Sequence, residues 1–124
     1  MVTELSSVPE RMELMNLTKI DAIEAIENLK TSGQLFNELF NHGTLSVEVF
    51  SPKDVDNQKP HDKDEIYVII SGYSNFILEN EMTEVKQGDF LFVPAGKEHR
   101  FEAFSDDFST WVFFYGPKGG EKKA

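Results

Sequence analysis

The chain has 124 residues, 40% of them hydrophobic and none of them cysteine, and it carries 22 acidic against 12 basic side chains for a net charge of -10. That length suits one compact core with nothing left over for a second, and the lack of sulfur removes disulfides and thiolate chemistry, so any metal must be held by nitrogen and oxygen. The acidic excess repels nucleic-acid phosphates and anionic lipid, the first residues lack a basic leader, and no apolar run reaches membrane-spanning length, so the expectation is a cytoplasmic protein that binds neither nucleic acid nor membrane.

Residues 17–33 show helical periodicity. Ile20, Ile23, Ile26 and Leu29 recur at three-residue steps, Thr18 stands where an N-cap would, Asp21 is placed to complete a weak capping arrangement, and Gly33 is a terminator. A stripe this narrow packs a helix onto its own sheet or a neighbouring subunit. From Gly43 the period becomes 2: Leu45, Val47 and Val49 alternate with Ser46 and Glu48, as in a strand with one buried face. Ile66–Ile70 is apolar on both faces and suits a strand covered on each side. Further strands are predicted at 76–78, 83–85, 90–93, 100–102 and 110–115, with turns at Gly72, Asn80, Gly88, 94–96 and 105–107. Short strands at regular intervals argue for a sandwich or barrel of the jelly-roll kind. The stretch from Gly116 to Ala124 has too little apolar content to fold alone and is expected to fray. The predicted division is an extension with one amphipathic helix over 1–42, a β-barrel over 43–116 and a flexible tail over 117–124. His42 reads as a turn residue, and the pairs Asp62/Asp64 and Asp106/Asp107 as solvated turns.

Two motifs lie in the strand region. Gly88-Asp-Phe-Leu-Phe-Val-Pro94-Ala-Gly96-Lys-Glu-His99 has the spacing Gly, five residues, Pro, one, Gly, two, His. Upstream, His61, three residues, Glu65, six residues, Gly72 precedes it. In spacing and order they resemble the second signature, and the latter part of the first, of the cupin superfamily, over roughly residues 44–115. The resemblance implies an all-β, cupin-type jelly-roll β-barrel with a short N-terminal helix, and one divalent metal ion held by His61, Glu65 and His99.

The residues themselves are compatible with that ligand set. Side chains two or four apart on an extended segment share a face, so His61 and Glu65 can look into the barrel together. His99, Phe101 and Ala103 share one face, while Glu98, Arg100 and Glu102 share the hydrated one. Taken alone, a histidine on an apolar face reads as a hydrogen-bonded core residue; a second histidine and a glutamate at the matching motif positions make it a ligand. Two imidazoles and a carboxylate suit iron(II), manganese, nickel, cobalt or zinc, and three protein ligands leave positions open for water, dioxygen or a substrate oxygen.

The chain departs from the family pattern in three places. Lys59 stands where cupins carry the first histidine of a His-x-His pair, Lys53 where that motif opens with glycine, and Ala103 where the second motif ends with asparagine. Gln58 is a candidate additional ligand through its amide oxygen. Its odd offset from His61 nevertheless puts it on the other face of an extended strand unless the backbone bulges, so it otherwise reads as a polar loop residue. Lys59 has the parity to approach the site, where its ammonium would turn away from a cation or meet a substrate carboxylate. Tyr67 and Phe101, two residues past Glu65 and His99, are the expected pocket walls, with Trp111 and Phe113 from the last strand.

The resemblance implies a small cupin that binds one divalent ion (iron, manganese, nickel or zinc) and a small polar molecule. It would act as a dioxygenase- or isomerase-type enzyme, or as a non-enzymatic ligand-binding protein with or without metal, and fold alone does not choose between them. Besides the ligands, the motifs offer only Tyr67 or Lys59 as a general base. Similar cupins pair through a sheet edge or exchange terminal segments, so a homodimer is expected, with the segment before Gly43 near its interface.

Overall fold

A computed structural model of the chain describes residues 19–122. Among the described residues one helix, α1 (Ala22–Ser32), precedes eight strands: β1 (Phe36–His42), β2 (Leu45–Phe50), β3 (Asp64–Ser71), β4 (Tyr73–Leu78), β5 (Glu81–Lys86), β6 (Phe90–Val93), β7 (His99–Glu102) and β8 (Ser109–Tyr115). Asp21 is the N-cap of α1, its Oδ1 accepting from the backbone N–H of Ile23 at 2.9 Å and of Glu24 at 3.3 Å. Thr18, the expected cap, lies outside the described residues. Gly33 ends the helix at φ 75°, a left-handed conformation that costs glycine nothing. Three-residue steps fall short of a full turn by about 60° each, so the isoleucine stripe winds off the packed face. Ala25 and Leu29 are buried, whereas Ile23 is 65% exposed.

The strands form a five-stranded sheet, β1-β2-β8-β3-β6, and a three-stranded sheet, β5-β4-β7. Tyr67, Ile69, Val93 and Val112 from the first meet Phe76, Val85 and Phe101 from the second in the main core. A second core joins α1 to the large sheet, with Ala25 and Leu29 against Leu39, Val49 and Trp111. The fold is therefore the expected all-β jelly roll, with one short helix among the described residues. No described helix is long and apolar enough to cross a membrane.

Three local readings change. The large sheet begins at Phe36, seven residues before Gly43, because Phe36–His42 pairs antiparallel with β2 through a bulge between Glu38 and Phe40. Phe36, Leu39 and Phe40 are spaced like a helix face, and only the partner strand makes the segment extended. His42 ends β1 and is exposed at the hairpin. The segment after β8 is held down: the Gly119 N–H donates to the Asp62 carbonyl at 2.6 Å and the Glu121 N–H to Asp64 Oδ2 at 2.9 Å. Asp64 is accordingly not a solvated turn residue. It is 5% exposed, and its other oxygen accepts from the Ala95 N–H at 3.0 Å.

Two backbone positions carry opposite strain. Gly72 has φ 78°, and a Cβ there would lie 2.8 Å from the Phe108 Cα. Ala103 follows β7 at φ 54°, exposed and off the barrel interior, in a conformation that asparagine tolerates better than alanine. Ala103→Asn should raise stability by about 1 kcal/mol. Gly72→Ala should lower it by more than Gly88→Ala, because Gly88 (φ 90°) has no atom within 4 Å of its missing Cβ. Urea unfolding midpoints check the order, and equal losses at the two glycines would contradict it.

Candidate metal centre

The two sheets bring two of the candidate ligands, Glu65 and His99, together. Alternation along β3 turns Glu65, Tyr67 and Ile69 inward, and alternation along β7 does the same for His99 and Phe101. The register Leu78 opposite His99 and Phe76 opposite Phe101 fixes β7 in the small sheet. Across the interior, Glu65 Oε1 and His99 Nε2 stand 3.1 Å apart. His61 comes from the loop before β3, where its carbonyl accepts from the Gly96 N–H at 2.7 Å and its ring meets Phe114 edge-on at 4.9 Å. One ligand atom from each of His61, Glu65 and His99 lies within 4.8 Å of the other two.

The chemistry of this trio fits a cation. His99 Nδ1–H donates to the Lys97 carbonyl at 2.8 Å, which leaves the lone pair of Nε2 aimed at the Glu65 carboxylate. Glu65 is 1% exposed and His99 4%, and Glu65 Oε1 and His99 Nε2 make no aligned hydrogen bond despite their approach. Two buried lone pairs facing each other repel unless a proton or a metal ion lies between them. Burial alone would push the His99 imidazole down, but the Glu65 carboxylate and the Lys97 carbonyl outweigh it and hold the pKa above its ordinary value. The same approach that suits a cation thus favours a proton on His99 when no metal is bound.

The remaining predicted residues divide. Tyr67 lines the site, and burial together with the Glu65 carboxylate pushes its phenol well above its ordinary pKa, so it is a neutral donor and no base. Gln58 is brought to the centre, with Oε1 3.2 Å from His61 Nε2. The parity argument against it fails because residues 56–60 are not extended strand. Lys59 is exposed and does not line the cavity beside the centre. Phe101 packs behind Tyr67, ring centroids 4.9 Å apart, and is not a cavity wall. Trp111 and Phe113 are on the wrong face. Trp111 packs against the helix-side core, and the neighbours of opposite parity, Val112 and Phe114, line the cavity instead.

That cavity has a volume of about 250 Å³, room for about eight waters. It is walled by Phe36, Phe50, Tyr67, Val112 and Phe114 and contains His61, Glu65, Gln58 and Glu48. The alternation of Leu45, Val47 and Val49 sets Glu48 on the opposite face of a strand with one buried face. On β2, however, Val47 and Val49 are buried, with Val49 facing the helix, so Glu48 faces inward with Phe50, whose shared parity was the available sequence signal. Burial, then the carboxylates of Glu38 and Glu65, push the Glu48 pKa up from 4.5 to about 7.

Comparison with known proteins agrees with this architecture. The cupin domain model matches residues 46–115. An uncharacterized protein of Streptomyces coelicolor is 31% identical over 106 residues, covering 84% of this chain and 99% of that protein. Among solved structures, BH2720 from Bacillus halodurans superposes with a TM-score of 0.65 at 16% identity, covering 82% of this chain and 83% of that one. A DMSP lyase from Ruegeria pomeroyi gives 0.57 at 24% identity, over 65% of this chain and 46% of its own. Matched over more than half its length by the domain model, and carrying a His/Glu/His cluster that could hold a metal inside two facing sheets, the chain belongs to the cupin family.

Proposed function

We propose that this cupin is a metal-dependent enzyme that moves a proton on a small polar molecule, an isomerase-type reading with a dioxygenase as its rival. The observation that carries it is the presence of Glu48, a carboxyl group that titrates near neutrality, in the same small cavity as His61 and Glu65, two of the three clustered donors. A bound iron, manganese, nickel or zinc ion would supply an electrophilic centre for a substrate oxygen. Glu48 would hold or accept the proton at its carboxylate, a role for which a pKa near the working pH is suited. The aromatic walls offer apolar contact to the carbon skeleton of a substrate, and the cavity volume limits that substrate to a small molecule. The similar DMSP lyase is a solved cupin-like structure named as an enzyme, which supports catalysis on this fold without indicating a substrate here.

Protein purified without added metal should retain a first-row divalent ion, and His99→Ala should release it while the barrel stays folded. Elemental analysis finding no metal, even after iron, manganese, nickel and zinc are offered, would overturn the metal reading.

Glu48 separates the functional classes. In deuterated water the metal-loaded protein should exchange a carbon-bound proton of some compound in a panel of small polar molecules, and Glu48→Gln should stop the exchange while metal content is unchanged. Dioxygen uptake without exchange would favour the oxygenase. A rise in melting temperature with every compound left intact would favour a ligand-binding protein. The same variant reports on stability. A folded pKa of about 7 against the ordinary 4.5 means that the native state binds the proton more tightly. Stability of the metal-free protein should therefore fall as pH rises between those values and level off above them, and Glu48→Gln should flatten that fall.

Association is proposed to be homodimeric. Phe90 and Phe92 lie 62% and 44% exposed on β6, an edge strand of the large sheet, which is an arrangement that edge pairing with a second copy would cover. Light scattering should give a dimer mass for the wild type and a monomer mass for Phe90→Glu/Phe92→Glu. A wild-type monomer at micromolar concentration would end this reading.

A further inference from the structure

We propose that Gln58 Oε1 is the fourth protein ligand of the metal centre and that Asp56 is the positioning residue that aims it; the inference rests on the metal reading above. Residues 51–63 form no regular strand apart from the isolated bridge between Lys53 and Val55. Their backbone therefore needs other anchors, and besides the Gly96 N–H on the His61 carbonyl, Asp56 supplies one beside the centre. It is 6% exposed, and its carboxylate collects three N–H groups: Phe101 N at 2.9 Å, Gln58 N at 3.3 Å and Gln58 Nε2 at 2.7 Å. The first of these ties the loop to β7 two residues beyond His99. The last fixes the rotation of the Gln58 amide, because the opposite orientation would set an amide oxygen against a carboxylate.

With Nε2 spent on Asp56, Oε1 faces the site. It lies 3.1 Å from the Tyr67 hydroxyl and 3.2 Å from His61 Nε2. An amide oxygen has two lone pairs, and the neutral Tyr67 phenol donates to one of them. The other is directed toward His61 Nε2. A His61 Nε2 that coordinates a metal has given up its proton, so this second lone pair loses that donor and faces the ion instead. A neutral oxygen then does the work that Lys59, turned to solvent, cannot do where the family carries its first histidine. Replacing an imidazole nitrogen by a carbonyl oxygen hardens the donor set without changing its charge, which favours manganese relative to zinc.

Chelator-competition titrations of the full chain with manganese and with zinc, alongside the visible spectrum of the cobalt(II)-loaded protein, test this. Gln58→Leu should weaken manganese binding about tenfold, zinc binding less, and alter the cobalt spectrum. Gln58→His should restore affinity and shift the preference toward zinc. Phe101 N and Gln58 Nε2 share Asp56 Oδ2, so Asp56→Ala, which removes that oxygen and lets the Gln58 amide turn over, should reproduce the Gln58→Leu loss and add nothing to it in the double variant. An unchanged affinity and spectrum in Gln58→Leu would overturn the fourth ligand. Equal losses from Asp56→Ala in the wild-type and Gln58→Leu backgrounds would overturn the positioning role. Should Asp56→Ala fail to fold, the side-chain amide protons of Gln58 in the zinc-loaded wild type decide its orientation: slow solvent exchange supports the bond to Asp56, fast exchange refutes it. A wild type that binds no ion removes the metal reading itself, an outcome distinct from a wild type and a Gln58→Leu variant that bind alike.

Discussion

The approach of Glu65 to His99 is the constraint around which this barrel is organised. A carboxylate that is 1% exposed has lost its hydration and must recover it from a proton, a cation or N–H donors. Here His99 of the other sheet stands 3.1 Å away and is itself fixed by the Lys97 carbonyl. The two sheets thus meet at a polar contact that is incomplete with protein atoms alone. Everything else at this end of the barrel serves to hold that contact in place. Tyr67 and Phe101 pack edge to face directly beneath it, and the Gly96 N–H anchors His61 beside it.

Two buried aspartates do for the loops what hydrogen-bond ladders do for the strands. Asp56 gathers N–H groups from its own loop and from β7, and Asp64 gathers them from the 94–96 turn and from the segment after β8. Both sit next to metal-centre elements, Asp56 before His61 and Asp64 adjacent to Glu65. An irregular segment held by charged acceptors can place a side chain such as Gln58 more firmly than its lack of secondary structure suggests. That firmness matters to a donor group, since an ion tolerates little error in ligand position.

The cavity combines a strongly polar end with aromatic walls. Glu48 and Glu65 both line it, while Lys59 is excluded. With no lysine or arginine on its walls, the cavity would attract an anionic ligand group chiefly through a bound metal ion. Glu48 faces that centre from a different strand, so it can exchange a proton without being one of the ligands. This division between candidate donors and a group that titrates near neutrality is the ground on which the acid-base proposal stands.

The family, the strand order along the chain and the three donor positions were legible before any coordinates, because spacing between glycine, proline, histidine and glutamate is a one-dimensional property. His61, Glu65 and His99 come together as that spacing implied. Strand β1 was not legible, since Phe36, Leu39 and Phe40 alternate like a helix until β2 pairs with them. Nor was the direction of β2 and β8. Alternation separates Glu48 from Val49 and Trp111 from Val112, but it cannot say which set faces the cavity and which the helix, because both faces of the large sheet are covered. Gln58 and Asp56 lay beyond the reach of periodicity altogether, in a segment with no period. The sequence by itself therefore determined which residues could act as donors and in what order they arrive. Only the tertiary structure decided which face of each strand meets them, because burial on both sides removes the polar-apolar contrast by which a sequence marks inside from outside.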